Sequence, residues 1–266
     1  MNKKGIVFFD VDGTLIDWSK EITSPTEMTK KSIKKLQDNG YLTFIATGRP
    51  KNLINEDLKD LNTDGFICSN GAYIEMNNEV LLNEAIENNK LKKLLNYLEE
   101  LNVGYMLECQ EINYIPNEKN EFLNNFIEEA NLNKRNFSTD WDIDTVRASK
   151  VIAMGENKES YNKVYEKCIK QGFAFTRSYK EEIFEINDEK FSKGYGVTKV
   201  LEKLDISSDK AYAFGDGDND IEMFQVVKHG IAMGEHYKGL EEVAFDITEN
   251  VENEGITKAL IKHGLI

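Results

Sequence analysis

Three cysteines, Cys68, Cys109 and Cys168, are too few and too scattered to build a disulfide framework or a zinc site. Their number is odd and no Cys-x-x-Cys pair occurs. They read as the reduced thiols of a cytosolic protein. Long apolar runs are also missing, and no stretch approaches the ~20 residues that a membrane helix needs. The start, Met1-Asn2-Lys3-Lys4, has the basic character of a secretory leader, but the apolar run from Ile6 to Phe9 stops at Asp10, too soon for its hydrophobic region. A cytoplasmic location without membrane partners is therefore expected. Positive charge is scarce as well. With 33 Lys and Arg against 47 Asp and Glu, the formal net charge is -14. Such a field repels polyanions, so nucleic acid and anionic membrane surfaces are poor partners, whereas a small anion can still bind where cations are concentrated. Only three prolines occur, and there is neither an internal repeat nor a low-complexity segment. The balance of 40 % hydrophobic and 30 % charged residues is that of an ordinary soluble globular protein.

What is present organises into two parts. A chain of 266 residues exceeds the usual single-domain size, so two domains, or a core with a large insertion, are expected. Gly5 to Phe9 is a continuous apolar run suited to a strand buried on both faces of a parallel sheet. Helical patterning follows from Thr29 to Asn39, then a strand from Leu42 to Ala46, a helix from Pro50 through Leu61 and a strand from Gly65 to Cys68. This alternation predicts an α/β fold with a doubly wound parallel sheet. The same pattern returns with a helix from Gly194 to Leu204, a strand from Ala211 to Phe214, a helix through Val226 and a strand from Gly230 to Met233. Between these halves the rhythm is that of a smaller α+β domain. It predicts helices near Lys90 to Leu101, Glu121 to Ala130 and Lys158 to Gln171, and strands near Val103 to Glu108, Ile112 to Ile115, Lys150 to Met154, Phe173 to Thr176 and Ile183 to Ile186. The expected division is a core of residues 1–82 and 188–266 and an inserted domain of residues 83–187.

Three strand ends in the core carry polar clusters, and doubly wound folds bind ligands outside the carboxyl ends of their strands. The clusters are therefore expected to meet. The first is Asp10-Val11-Asp12-Gly13-Thr14-Leu15, the second Thr47-Gly48-Arg49 at a helix start suited to anions, and the third Gly215-Asp216-Gly217-Asp218-Asn219-Asp220. Taken singly, a strand ending in Asp is a loop or cap and a Thr-Gly-Arg is a turn. A calcium-loop reading fails at both acidic clusters, because the sixth position is Leu15 or Ile221 where Gly is required. Two acidic strand ends facing each other repel unless a cation lies between them, which argues for a hard divalent metal with oxygen ligands. Lys193, in Ser192-Lys193-Gly194 at a helix start, sits where the helix dipole disfavours a cation. That placement suits either a functional role or a solvated surface lysine.

In this order, the Asp10 cluster, the Thr47 strand end, Lys193 and the Asp216 cluster resemble the four motifs of the haloacid dehalogenase superfamily. The α+β insertion between the second and third motifs, with Ser69-Asn70-Gly71-Ala72 after the third strand, is similar to the Cof-type phosphatases with a class IIB cap. Two stretches depart from that pattern. No proline precedes Lys193 in Asn187-Asp188-Glu189-Lys190-Phe191-Ser192, and Gly234-Glu235-His236 lacks the usual Asn-Ala after glycine. Neither touches the four motifs.

The resemblance implies hydrolysis of small phosphorylated metabolites through an aspartyl phosphate on Asp10, with Asp12 as acid and base. It implies Mg2+ held by Asp10, Asp216 and the main-chain carbonyl of Asp12. Thr47, Gly48, Lys193 and Asn219 would hold the phosphoryl group, with Asp220 and Asn70 supporting them. The inserted domain would close over the strand ends and select the substrate. Arg177, Tyr179 and Lys180, in the turn between its last two strands, either meet the leaving group or form a solvated turn. A phosphohexomutase is the alternative within the same superfamily, and a metabolite-binding regulator on a retained fold is the alternative outside enzymes. Substrate identity and oligomeric state are not encoded in these motifs.

Overall fold

In the computed structural model of the chain, residues 3–116, 127–128, 133–154, 158–177 and 183–266 are described. The core begins with β1 (Gly5–Phe9), all of whose residues are buried. Helix α1 (Glu27–Asp38) starts where Thr26 accepts a hydrogen bond from the Thr29 N–H, and it buries Ile33 and Leu36. Strand β2 (Tyr41–Ala46), the short helix α2 (Glu56–Lys59) and β3 (Gly65–Cys68) follow. A hairpin of β4 (Tyr73–Met76) and β5 (Glu79–Asn83) completes the first half. The insertion contains α3 (Asn88–Glu100), β6 (Gly104–Glu108), β7 (Asn113–Tyr114), β8 (Phe137–Ser138), β9 (Lys150–Met154), α4 (Lys158–Lys170), β10 (Phe173–Arg177) and β11 (Ile183–Asp188). The chain then returns to the core through α5 (Lys193–Leu204), β12 (Ala211–Gly215), α6 (Ile221–Val226), β13 (His229–Ala232), β14 (Asp246–Ile247) and α7 (Gly255–Lys262).

The core sheet has the order β14-β13-β12-β1-β2-β3-β4-β5. It is parallel from β14 to β3, and the β3–β4–β5 end is antiparallel. Alternate residues of the central strands face opposite helical layers, so nearly every position is apolar, with buried Thr43 of β2 satisfied by Gln37 and Asp64. Val7, Phe9, Ile45 and Phe214 pack with Ile33, Leu36 and Leu260 on one side. Ile6, Phe8, Phe44 and Ala213 pack with Val197, Val200 and Phe224 on the other. Each fully buried Phe or Ile contributes about 1.5–3 kcal/mol of transfer free energy, enough to fix the strand register. That register aligns Phe9 with both Phe214 and Ile45. The first residues beyond these strands therefore emerge side by side at one sheet edge.

The second unit comprises Glu84–Phe191 together with Pro50–Leu53; the first comprises Met1–Arg49, Ile54–Asn83 and Ser192–Ile266. Its sheet runs β10-β11-β9-β6-β7-β8 and is antiparallel except between β7 and β8. Leu91, Leu94 and Leu98 of α3 and Val164 and Cys168 of α4 cover one sheet face, against Tyr105, Leu107, Val151, Ala153 and Phe184. All three cysteines are buried and none forms a disulfide.

Several elements differ from the sequence expectation. The helix expected from Pro50 through Leu61 is split into a 3-10 turn at Lys51–Leu53 and α2, because Asn55 adopts an extended conformation and caps Leu58. The β4–β5 hairpin was not expected; it turns through Asn77 and Asn78, both left-handed with φ of 51° and 63°. Of the helix expected from Glu121 to Ala130, only Ile127 and Glu128 are among the described residues, and both are helical. Tyr179 and Lys180 lie outside the described residues.

Candidate active site

The strand ends β1, β2 and β12 place three clusters together as their apolar runs end. Asp10 directly follows β1 and is fixed there by its N–H, which donates to the Phe214 carbonyl at 3.0 Å. The Asp12 to Ile16 loop then turns back on itself, with the Leu15 and Ile16 N–H groups donating to the Val11 carbonyl at 2.9 and 3.0 Å. Gly13 takes a positive φ of 85° in this loop, and a Cβ there would lie 2.1 Å from Asp216 Oδ2. Only glycine satisfies both conditions. The hydroxyl of Thr14 donates to Asp216 Oδ1 at 3.0 Å, so the first cluster shapes the third.

Lys193 is the first residue of α5 and is 1 % exposed. Its ammonium donates to Asp10 Oδ1 and to Asp220 Oδ1, each at 2.6 Å. The other oxygen of Asp220 accepts the N–H groups of Asp216 and Gly217 at 3.0 and 2.9 Å. Both Asp220 oxygens are therefore committed to holding Lys193 and the β12 loop. Burial opposes the Lys193 charge, but Asp10 and then Asp220 outweigh it and drive the pKa above its ordinary value. At 1 % exposure Lys193 is not a solvated surface lysine.

Thr47 is 1 % exposed at the end of β2. Its carbonyl accepts the Asn70 N–H at 3.2 Å, and its hydroxyl accepts the Arg49 N–H at 3.2 Å. Asn70 lies in a turn where Ser69, Asn70 and Gly71 all have positive φ. Its side-chain oxygen faces Asn219 Nδ2 at 3.5 Å, and a Cβ on Gly48 would come within 3.2 Å of that same oxygen. Thr47, Gly48, Asn70 and Asn219 thus form one polar group.

Two partners of these clusters were not assigned from the sequence. Arg49 Nε donates to Asp12 Oδ2 at 2.9 Å and its Nη2 donates to Asp12 Oδ1, while Trp18 Nε1 donates to Asp12 Oδ1 at 3.0 Å. Arg49 stood in a recognised motif without a task, and Trp18 carried no signal beyond its nearness to the first cluster.

Oxygens of Asp10, Asp216 and Asp220 all lie within 4.8 Å of one another. Burial, countered by Lys193 and aggravated by Asp220 and Asp216, holds the Asp10 carboxyl well above the usual carboxylate range. Burial and the charge of Asp220 push Asp216 up to about 7. Three carboxylates share one buried ammonium, so the cluster lacks positive charge at neutral pH. Oxygen donors of this kind fit a hard divalent cation. Asp10 and Asp216 could hold it, since both Asp220 oxygens are already engaged.

A mixed α/β core with a carboxylate cluster at its strand ends, interrupted by an α+β unit, defines a hydrolase of the haloacid dehalogenase type. The chain matches the haloacid dehalogenase-like hydrolase family over residues 7–260 and belongs to it, within the Cof-type phosphatases. Among its relatives is YkrA of Bacillus subtilis strain 168, which carries a provisional phosphatase name. It is 28 % identical over 267 residues, covering 98 % of each chain. Another from the same organism is 5-amino-6-(5-phospho-D-ribitylamino)uracil phosphatase YcsE, 25 % identical, with 98 % of this chain and 96 % of that protein aligned. Among solved structures, the subclass IIB sugar phosphatase BT4131 superposes with a TM-score of 0.83 at 25 % identity, over 98 % of this chain and all of the other. A protein from Geobacillus kaustophilus HTA426 superposes with a TM-score of 0.86 at 26 % identity, over 98 % of this chain and 99 % of the other. Among the described residues, no helix is long and apolar enough to cross a membrane.

Proposed function

We propose that this protein is a Mg2+-dependent phosphatase of small phosphorylated metabolites in the cytoplasm, such as sugar phosphates or phosphorylated cofactors. The observation that carries this reading is the buried Asp10–Lys193–Asp220 chain beside Asp216, which presents one carboxylate at a strand end amid uncompensated negative charge. Asp10, Asp216 and the main-chain carbonyl of Asp12 would hold Mg2+, which when bound supplies charge neutralisation for an incoming phosphoryl group.

The residues then divide the work. An Asp10 oxygen attacks phosphorus in line, the ester P–O bond breaks, and its electron pair leaves with the departing oxygen, which takes a proton from Asp12. Water next attacks the aspartyl phosphate and gives its proton to Asp12, so that inorganic phosphate leaves and the Asp10 carboxylate is restored. Lys193 spends two of its three N–H donors on Asp10 and Asp220, leaving the third for a phosphoryl oxygen. The Thr47 hydroxyl, the Gly48 N–H and Asn219 supply further donors, in keeping with a reaction governed by positioning and electrostatics. Asp220 and Asn70 orient these groups. The inserted unit would select the leaving group.

The test is phosphate release with Mg2+ from a panel of sugar phosphates, flavin mononucleotide and pyridoxal phosphate, alongside Asp10→Asn. Release from at least one member, reduced by more than about 10^3-fold in Asp10→Asn, is expected. An isomeric hexose phosphate without inorganic phosphate, or a fully active Asp10→Asn, would overturn the reading.

A further inference from the structure

Arg49 is tied down at both ends. Its backbone belongs to the Thr47–Gly48 turn, where its N–H donates to the Thr47 hydroxyl at 3.2 Å and its carbonyl accepts the Ser69 N–H at 2.9 Å. Its guanidinium meets both oxygens of Asp12, one through Nε at 2.9 Å and the other through Nη2. Trp18 completes the arrangement. Its indole N–H donates to Asp12 Oδ1 at 3.0 Å, and the guanidinium carbon sits 6.0 Å from its ring centroid.

Stability does not explain this grouping. Asp12 and Trp18 are about half exposed, and an exposed ion pair contributes only about 0–1 kcal/mol. Trp18 occupies a short turn in which no residue is buried. A large apolar ring left on the surface is costly to solubility and gains the fold little. Orientation does explain it. A carboxylate offers about four lone-pair directions, and Arg49 and Trp18 fill three of them with donors whose geometry is fixed by a planar fork and a rigid ring. The remaining direction is the one through which a proton can be exchanged with a reacting oxygen.

We infer that Arg49, with Trp18 beside it, is a positioning residue that fixes the orientation of the Asp12 carboxyl and couples it to the Thr47–Gly48 turn. The inference rests on the phosphatase reading, in which Asp12 protonates the departing oxygen. It adds that the turn proposed to bind phosphate and the carboxyl proposed to donate the proton are held as one unit.

The experiment measures kcat/KM with Mg2+ on two esters, p-nitrophenyl phosphate, whose leaving group departs without a proton, and glycerol phosphate, whose alkoxide needs one. The proteins compared are wild type, Asp12→Asn, Arg49→Ala, Arg49→Lys and Trp18→Phe. General acid catalysis contributes roughly 10^2- to 10^4-fold, and misplacing the acid forfeits part of that. Arg49→Ala should lose about 30-fold more on glycerol phosphate than on p-nitrophenyl phosphate. Trp18→Phe, which keeps the ring and deletes one donor, should shift the ratio the same way by about threefold, and Arg49→Lys should fall between wild type and Arg49→Ala, all as fractions of that acid term. Millimolar guanidinium should restore part of the Arg49→Ala loss on glycerol phosphate alone, which a merely structural role would not show. Equal losses of Arg49→Ala on both esters, or none on either, overturn the inference. If Asp12→Asn discriminates between the esters and Arg49→Ala does not, the positioning role alone falls. If wild type releases phosphate neither from these esters nor from any member of the metabolite panel, the phosphatase reading falls and takes the inference with it.

Discussion

Replacing Asp216 with Asn should make the metal-free protein more stable at neutral pH. In the folded chain the Asp216 carboxyl is pushed from 3.8 up to about 7, by burial first and by the charge of Asp220 second. A carboxyl whose folded pKa is raised binds more protons in the folded state than in the unfolded one over that interval. Its stabilising contribution is complete below about pH 4 and is lost as pH rises toward 7. Each tenfold change in proton affinity is worth about 1.4 kcal/mol, so the ionised, cation-free cluster costs the fold on the order of 4 kcal/mol at neutral pH. Asp10, also held high, moves in the same direction. Urea unfolding in EDTA between pH 4.5 and 8 reads this directly. Wild type should lose stability steadily with rising pH, and Asp216→Asn should follow a shallower slope and exceed wild type by a few kcal/mol at pH 7.5. Added Mg2+ should stabilise wild type by mass action and do little for the variant. Parallel pH slopes for the two proteins in EDTA would refute the claim that an uncompensated charge is stored in this cluster.

Chelation should abolish phosphate release from wild type and Mg2+ should restore it, while Ca2+ should inhibit, since its larger and looser shell suits an in-line arrangement poorly; full turnover in excess EDTA would remove the metal from the reaction. Gly13→Ala should lower the melting temperature by several degrees and raise the Mg2+ concentration for half-maximal activity at least tenfold, because its Cβ would fall 2.1 Å from Asp216 Oδ2 at a φ of 85°; unchanged Mg2+ dependence would show that the loop gives way elsewhere. Arg177→Ala and Lys180→Ala should lower kcat/KM for a preferred metabolite about tenfold and leave acetyl phosphate nearly unchanged, since acetyl phosphate offers almost no leaving group to grip; equal losses on both would assign these residues to chemistry or folding.

Much of the core was legible because its signals are local. A strand buried on both faces needs a near-continuous apolar run; β1, β3 and β12 show one, β2 is broken only by Thr43, and each is followed at once by a polar residue. The β4–β5 hairpin was hidden because its turn uses Asn77 and Asn78 without the glycine that usually marks such turns. The break before α2 depends on one Asn55 cap in an otherwise helical pattern. Arg49 and Trp18 illustrate a different limit. Their common target, Asp12, lies 37 and 6 residues away, and no spacing rule relates an arginine to a carboxylate across a sheet edge.

Lys193 shows how local and distant signals combine. Its position at the start of α5 opposes the helix dipole, and that conflict is readable from Ser192-Lys193-Gly194 alone. The resolution is not readable there, because the carboxylates that overcome both dipole and burial stand 183 and 27 residues away. Once those carboxylates are in place, the charge count forces the next step. One ammonium compensates one carboxylate among Asp10, Asp216 and Asp220, and the two that remain cannot both stay ionised in a buried cluster without another cation. Protonation satisfies that demand at low pH, and a divalent metal satisfies it at neutral pH. In the proposed mechanism, only the second would leave Asp10 as a carboxylate able to attack. The same charge deficit that is predicted to make the metal-free fold less stable would therefore, on the proposed mechanism, make the site competent when the cation arrives.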